Sequence, residues 1–219
     1  MLLAALAILS LPASLMAQTI VPVEQEPSHV ILFENAVVRV IDAAVPVGNE
    51  TLYHTHSRDN VPVAVASGRV ATIVIGRAPA ESDVRIGQVW FAAGGYTHIV
   101  RNVGPTPLRY IDVELRTSAP TATASPATAV PLADHVLELS NARVRVHRVV
   151  VRPGRRLEPH KHAGAVLEVL IGGDTVAHGA GLAVPVAVGA FEWHGEGALD
   201  TVRNAGRVPY EVVEIEWVN

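Results

Sequence analysis

The stretch Gly48-Asn-Glu-Thr-Leu-Tyr-His54-Thr-His56 places two histidines two residues apart, six residues after a glycine. In a β-strand, residues i and i+2 point to the same face of the sheet, with a rise of about 3.3 Å per residue. Both imidazoles can therefore aim at one point and supply half of a metal site. We expect the other half on another strand, and the segment 87–102 offers His98 after further glycines.

The chain repeats this pattern about a hundred residues later, where Gly154 precedes His160 and His162. Matched residues lie 106 positions apart in the first part of each half and 102 positions apart in the second part. The matches are Asn35 with Asn141, Gly48 with Gly154, His54 with His160, Gly87 with Gly189, Gly95 with Gly197 and Glu114 with Glu216. A repeat of this size outweighs any local pattern and predicts a tandem duplication of one small β-domain.

Short runs rich in Val and Ile recur through both halves, separated by Gly, Pro and Asn. Such runs predict β-strands, and no stretch after the apolar N-terminus has convincing helical periodicity. Short strands at regular spacing predict a sandwich or a barrel. The runs are 37–41, 61–65, 70–75 and 110–115 in the first half, and 136–139, 143–151, 166–171 and 210–217 in the second.

The composition excludes several classes of function. The formal net charge of −4 provides no general basic character of the kind that nucleic-acid binding needs. The chain has no cysteine, which excludes disulfides, thiolate metal ligands and cysteine nucleophiles. Because 49% of the residues are hydrophobic and only 17% are charged, the chain has ample material for a packed core.

The N-terminus indicates export. Residues 1–17 are apolar, too short for a comfortable membrane span, and end in small residues, which predicts a signal peptide cleaved near Ala17. No Lys or Arg precedes the apolar run, so a first strand or a membrane anchor is the alternative. We expect a periplasmic or secreted protein with no stable membrane span after cleavage. The remaining predicted parts are an N-terminal arm at 18–28, a first domain at 29–116, an Ala/Thr/Pro/Ser linker at 117–131 and a second domain at 132–219.

These motifs make the chain resemble the cupin superfamily, and its two halves resemble a tandem bicupin. The cupin signature is G(X)5HXH(X)3-4E(X)6G followed by G(X)5PXG(X)2H(X)3N. The resemblance covers nearly everything after the leader apart from the linker. It implies an all-β fold of two tandem double-stranded β-helix, or jelly-roll, barrels with a metal in the barrel mouth. The matching residues of the first half are Gly48, His54, His56 and Gly68 for the first motif, and Gly87, Gly95, His98 and Asn102 for the second.

The first half departs from the signature at the carboxylate. Counted back from the closing glycine, the glutamate position falls on Val61, which cannot bind a metal, whereas Asp59 and Asn60 are near but out of register by that count. Without a carboxylate, the centre consists of neutral imidazoles, which suit one divalent Fe, Mn, Cu, Ni, Co or Zn ion. Buried histidines that hydrogen-bond without a metal are the alternative. The predicted ligands of this first site are His54, His56 and His98.

The second half departs further from the cupin signature than the first half does. Its glutamate position falls on Val166, with Glu168 two residues late on the same strand face, and its second-motif histidine position is Asp200. Two histidines and one carboxylate form the ligand set of a facial triad, so His160, His162 and Asp200 are candidates for a second metal. A decayed motif in which Asp200 pairs with a nearby cation is the alternative.

For other residues near the motifs, the sequence gives weaker indications of a functional role. Asn102 and Asn204 suit turns or strand-end hydrogen bonds rather than chemistry. Three aromatic residues that flank the first-half motifs are candidates for substrate contacts, although such residues more often belong to the core. These are Tyr53, Trp90 and Tyr96. The histidines without a partner pattern are predicted to be surface or loop residues, namely His29, His135, His147 and His178.

The function that the resemblance implies is a metal-dependent oxidoreductase of the dioxygenase type, acting on a small organic substrate that chelates the metal. A lyase or isomerase that uses the ion without redox chemistry stays open, as does a bicupin that binds a metal or ligand without turnover, because fold alone does not separate them. No catalytic base emerges from the sequence. The expected partner is a small molecule, and a homo-oligomer is left open.

Overall fold

The computed structural model describes residues 19–117 and 134–218, apart from the side chains of Leu199 and Asp200. Within these ranges the regular structure is all strand apart from one 3₁₀ turn at Val23–Gln25, which confirms the predicted all-β fold. None of the described helical residues forms a helix long and apolar enough to cross a membrane. The predicted signal peptide and nearly all of the predicted linker lie outside the described residues.

The first half forms two facing sheets, as expected for a jelly-roll barrel. One sheet has the strand order β1-β4-β8-β6-β7, and the other has the order β2-β3-β9-β5. All neighbours pair antiparallel except β1 and β4, which pair parallel. The strands are β1 Ile20–Pro22, β2 His29–Glu34, β3 Val38–Val45, β4 Tyr53–His56, β5 Asn60–Ala64, β6 Gly68–Val74, β7 Ala80–Val84, β8 Tyr96–Asn102 and β9 Leu108–Leu115.

The second half repeats the arrangement in shorter pieces. Its large sheet has the order β10-β11-β19-β13-β16, and the facing side consists of β12-β17 and β15-β14-β18. The strands are β10 His135–Ser140, β11 Val144–Val151, β12 His160–Lys161, β13 Val166–Gly172, β14 Thr175–His178, β15 Val184–Pro185, β16 Phe191–His194, β17 Leu199–Asp200, β18 Val202–Asn204 and β19 Tyr210–Trp217.

The backbone repeats along with the sequence. Strand β9 lies between β3 and β5, and in the same way β19 lies between β11 and β13. Gly48 and Gly154, 106 residues apart, have φ angles of 76° and 73°. Only glycine adopts this left-handed conformation without strain, so the two turns that lead into the histidine strands have the same backbone requirement.

The two barrels share a hydrophobic core. One face of each large sheet carries branched apolar side chains, and these pack against the corresponding face of the other half. Because the opposite faces of the same sheets line the two barrel interiors, these sheets are buried on both sides. The shared core includes Val40, Val61, Val63, Val113, Val146, Leu167, Val169 and Ile215.

The predicted N-terminal arm packs on the first barrel. Strand β1 pairs with β4, the strand that carries His54 and His56. Val23 is fully buried, and the buried Glu26 carboxylate accepts a hydrogen bond from the backbone N–H of Leu52 at 3.1 Å. The arm therefore supports the edge of the histidine strand from outside.

The shared core predicts a strong effect of truncation. Leu167 is fully buried between the barrels, so Leu167→Ala removes buried apolar surface and leaves a cavity, and we expect it to destabilise the protein by about 2–5 kcal/mol. Leu182→Ala is the matched control, because Leu182 is 89% exposed and its truncation should be neutral. Chemical denaturation of both variants measures the difference. Equal stability of the two variants would contradict the shared core.

Candidate metal centre and cavity

Strands β4 and β8 bring three histidines of the first barrel together. His54 lies directly opposite His98 in the antiparallel pair, and His56 follows His54 on the same face. The Nε2 atom of His98 lies 2.9 Å from Nε2 of His54 and 3.3 Å from Nε2 of His56. The alternation of side chains along each strand, together with this pairing register, is what makes the three nitrogens converge.

The environment keeps these imidazoles neutral. His54 Nδ1 lies 3.0 Å from the carbonyl oxygen of Leu52, which can only accept, so Nδ1 carries the hydrogen and Nε2 presents a lone pair. Burial, aided by the nearby imidazole of His29, lowers the pKa of His54 to about 4. Burial and the neighbouring histidines lower the pKa of His56 to about 2 and that of His98 to about 3. Neutral imidazole is the form that binds a metal ion.

The spacing of the nitrogens fits a transition-metal ion. Imidazole nitrogens lie about 2.0–2.1 Å from such an ion, so two of them at octahedral or tetrahedral angles are about 2.8–3.4 Å apart. The observed separations of 2.9 and 3.3 Å agree with this range. The three nitrogens belong to a group of donor atoms that all lie within 4.8 Å of one another. This donor set can hold a divalent metal.

The residue of β5 that lies beside the histidines is Asn60 and not Val61, the residue to which the motif count assigned the glutamate position. Asn60 and Pro62 line the cavity of the first barrel, whereas Val61 belongs to the core between the barrels. Strand alternation fixes this choice, because neighbouring residues face opposite sides of the sheet. An amide therefore stands where the cupin signature has a glutamate.

Asn60 links two further side chains at the site. Its Nδ2 donates to Asp112 Oδ1 at 2.7 Å, and its Oδ1 accepts from the hydroxyl of Tyr96 at 3.2 Å. Asp112 Oδ2 lies 3.5 Å from His56 Nδ1, behind the ring rather than on its Nε2 side. Burial raises the pKa of Asp112 to about 7, although the hydrogen bond from Asn60 opposes the shift. The network orients the His56 ring and keeps the carboxylate away from the converging nitrogens.

The three histidines open on a cavity of about 330 Å³. Its walls are largely apolar, and among the described residues that line it none is Lys or Arg and only Asp112 is acidic. Polar contacts come from His29, Asn60, Thr72, Ser82, Gln88 and Tyr96, and apolar walls from Ala43, Val70, Val74, Val84, Trp90 and Val100. A cavity of this size and lining suits a small, mainly apolar molecule with a few polar groups.

Two of the three aromatic residues predicted to contact the substrate line the cavity. Trp90 and Tyr96 line the cavity, and Trp90 packs edge-on against Tyr110 with ring centroids 5.9 Å apart. Tyr53 is not among the residues that line this cavity. It precedes His54 in β4, and strand alternation turns it to the opposite face.

Tyr96 offers a test of the supporting network. Its ring stacks on His56 with centroids 4.7 Å apart and planes 11° apart, while its hydroxyl contacts only the amide of Asn60 in the network above. We expect Tyr96→Phe to keep the metal content and to lower stability by about 1 kcal/mol, because one buried hydrogen bond is lost. Elemental analysis and denaturation measure the two effects. Loss of the metal in this variant would contradict this expectation and show that metal binding depends on the hydroxyl.

The second barrel assembles a different group of donor atoms. His160 and His162 again converge, with their Nε2 atoms 3.1 Å apart, and His160 Nδ1 lies 3.0 Å from the carbonyl of Glu158, as His54 does from Leu52. The backbone of Asp200 pairs opposite His160, but the side chain of this predicted ligand lies outside the described residues. The described group consists of His135, His160, His162 and Glu214.

Three of the four histidines predicted to be surface or loop residues lie elsewhere, so that prediction is wrong for them. The side chains of His29, His135 and His147 are buried on strands rather than exposed in loops, and only His178 is partly exposed. His29 packs edge-on against His54 with ring centroids 4.8 Å apart, and His135 does the same against His160 at 4.7 Å. The sequence contained an indication that His29 and His135 have equivalent roles in the two halves. These residues are 106 positions apart, which is the offset of the repeat itself.

The two asparagines of the second motifs have the predicted structural role. Asn102 Nδ2 donates to the carbonyl oxygens of Val45 and Thr106, at 2.9 and 2.8 Å. Asn204 Nδ2 makes the corresponding bonds to Val151 and Val208, both at 2.8 Å. Both side chains therefore close turns at strand ends and do not reach the histidines.

Comparison with known proteins identifies the fold through structure. No protein-family model matches the chain, and no curated protein matches it in sequence. A cupin 2 conserved barrel domain protein from Leptotrichia buccalis has 11% identity and a TM-score of 0.55, and the match covers 87% of this chain and 88% of that one. Two enzymes are similar at the same level.

The first of these enzymes is salicylate 1,2-dioxygenase from Pseudoaminobacter salicylatoxidans, in adducts with gentisate. It has 12% identity and a TM-score of 0.57, over 84% of this chain and 70% of that one. The second is an oxalate decarboxylase variant from Bacillus subtilis, with 14% identity and a TM-score of 0.60, over 86% of this chain and 71% of that one. Matches at this identity establish the fold and leave the chemistry to the residues of the site.

Proposed function

Since the chain has the fold of a tandem bicupin, we propose that it is a metal-dependent oxidoreductase of the dioxygenase type, with its active site in the first barrel. The observation that carries this proposal is the convergence of His54, His56 and His98 at the wall of an apolar cavity of about 330 Å³. Three neutral ligands leave the full charge of a divalent ion uncompensated, which favours an anionic or enolic substrate group at its open positions.

The cavity restricts the substrate to a small metal-chelating organic molecule. With no Lys or Arg among the described lining residues, no side-chain cation is placed to bind a carboxylate remote from the metal. The valine side chains and Trp90 instead offer apolar contact to the body of the substrate. A flat ring or short chain with two adjacent oxygen donors satisfies both requirements.

The chain's own residues supply positioning and exclusion of water. His54, His56 and His98 would hold the ion, which when bound supplies Lewis-acid and redox chemistry that no side chain of the site offers. The backbone carbonyl of Leu52 fixes the His54 tautomer, and the ring of Tyr96 fixes the orientation of His56. The apolar walls reduce the access of water to the open side of the cluster.

The experiment that tests this proposal is oxygen uptake by the full chain, loaded in turn with Fe²⁺, Mn²⁺, Cu²⁺, Ni²⁺, Co²⁺ and Zn²⁺. Catechols, hydroxybenzoates and β-diketones provide chelating probes of suitable size. We expect one redox-active metal to support stoichiometric uptake of oxygen with loss of the probe. Turnover of a probe without oxygen would favour the lyase or isomerase, and a loaded protein that turns over no probe would favour a binding role.

We also propose that the protein functions outside the cytoplasm, as a periplasmic or secreted protein. The support is the apolar, small-residue-terminated sequence at 1–17 and the absence of cysteine. Mass spectrometry of the exported protein should give a mature N-terminus near Gln18 or Thr19. An intact Met1 in a soluble cytoplasmic fraction would contradict this proposal.

A further inference from the structure

The second barrel contains a fully buried carboxylate that lies beside imidazoles but makes no hydrogen bond with them. Glu214, on the final strand β19, is fully buried, and neither of its carboxylate oxygens accepts a hydrogen bond from a residue that the structure describes. A buried carboxylate without such bonds is strongly unfavourable unless a cation compensates its charge. The side chain therefore requires an explanation beyond packing.

Three imidazoles surround this carboxylate. Glu214 Oε2 lies 3.0 Å from His135 Nε2 and 3.5 Å from His162 Nε2, and His160 Nε2 lies 3.1 Å from His162 Nε2. The separations of 3.0 and 3.1 Å fall within the range of about 2.8–3.4 Å expected between ligands of one transition-metal ion, and the separation of 3.5 Å lies just above it. The His160 tautomer is set by the carbonyl of Glu158, so its Nε2 lone pair faces the group.

Comparison of the barrels explains why the carboxylate stands among the imidazoles only in the second. Residues 112 and 214 are matched by the repeat offset of 102, but one is aspartate and the other is glutamate. Asp112 receives a hydrogen bond from Asn60 and lies behind the His56 ring, beside Nδ1. At the position of Asn60 the second barrel has Val166, which has no amide to donate, and the longer Glu214 lies beside the Nε2 atom of His162.

From this geometry we propose that the second barrel holds a divalent cation through His135, His160, His162 and Glu214. The set differs from that predicted from the motifs, because His135 comes from β10 and Glu214 from β19, outside both motifs. Three imidazoles and one carboxylate are donors that Zn²⁺ accepts, and four protein ligands would close a tetrahedral site to further ligands. The cavity of about 50 Å³ in this barrel is lined by none of the four residues, so the ion ties strands β10, β12 and β19 together rather than meeting a substrate.

The test uses the full chain carrying His98→Ala, which disables the first site, so its outcome does not depend on the proposed function. After loading with Zn²⁺ or Co²⁺ and removal of excess ion, we expect about one ion per chain, a Co²⁺ absorption spectrum of tetrahedral type and a higher Tm with Zn²⁺ than with chelator. Adding His135→Ala or Glu214→Gln should weaken binding by at least about a hundredfold, because changes to supporting residues alone cost 10–100-fold.

Two control measurements separate loss of the metal site from misfolding of the chain. Glu158→Gln removes an exposed carboxylate next to His160 and should leave binding and the Zn²⁺-dependent rise in Tm unchanged. Glu214→Gln should fold at least as well as its parent in chelator, because it removes a buried charge, so loss of its metal response cannot be attributed to misfolding. Absence of an ion from the His98→Ala chain would overturn the proposal. Retention of the ion in both the His135→Ala and the Glu214→Gln variants would also overturn it. Loss of the ion in Asp200→Asn together with its retention in His135→Ala would overturn it as well, because the ligand would then be Asp200.

Discussion

His98→Ala should remove about one metal ion per chain while the fold stays intact. His98 is the shared neighbour in the first barrel, with its Nε2 atom 2.9 and 3.3 Å from those of His54 and His56. The remaining pair cannot surround an ion from three sides, so affinity should fall by at least about a hundredfold and activity should fall with it. The fold should persist, because burial and the neighbouring histidines lower the pKa of His98 to about 3, so the change removes a neutral, partly buried ring and breaks no ion pair.

The control for this experiment is His178→Ala. His178 is half-exposed on β14 and belongs to neither group of converging donors, so its loss should not change the metal content. Elemental analysis after dialysis against a weak chelator measures both variants, and circular dichroism checks the fold. If His98→Ala retained the full metal content, the three histidines would be a hydrogen-bonded cluster and not the metal centre.

The histidine strand was predictable because two constraints reinforce each other. Strand alternation puts His54 and His56 on one face, and the glycine-initiated turn at Gly48 repeats at Gly154 with nearly the same φ angle. A second motif at the right distance then supplies His98 from a neighbouring strand. The first donor group therefore follows from strand alternation together with the resemblance to the two cupin motifs.

The direction of β5 was not predictable in the same way. Residues 61, 63 and 65 are all Val, whereas 60, 62 and 64 are Asn, Pro and Ala. In a single barrel the valine face would be the interior, but here the outer face of the sheet is buried against the other barrel. Hydrophobicity therefore does not separate the interior of a barrel from the interface between barrels, and the count from the closing glycine selected the wrong residue.

The second donor group was missed for a related reason. Glu214 lies within a run of strand residues, where alternating acidic positions suggest a solvated face. Burial of both faces of β19 reverses that interpretation, since Glu214 is fully buried. His135 was missed because it begins a strand outside the motifs, although its match with His29 was visible in the repeat.

The register of β5 yields a matched pair of substitutions with opposite expected outcomes. Asn60→Glu places a carboxylate in the cavity beside the three histidines, where it can become a fourth ligand and lower the net charge of the centre by one. We expect slower loss of the metal to a chelator, and lower turnover if the reaction needs the coordination position that the glutamate fills. Asn60→Gln is the control of equal length without the charge, and it should not tighten binding.

Val61→Glu places the same carboxylate in the core between the barrels instead. Val61 is fully buried among apolar residues of both halves, where no cation compensates a new charge. The expected destabilisation is on the order of 5 kcal/mol, comparable to the total stability of many domains, so we expect little folded protein. Val61→Met, which adds length without charge, should cost about 1–3 kcal/mol and remain folded. Denaturation curves and chelator-competition rates measured on all four variants test the register directly. A folded Val61→Glu protein with tighter metal binding, beside an Asn60→Glu protein with none, would show that β5 presents the opposite face to the metal centre.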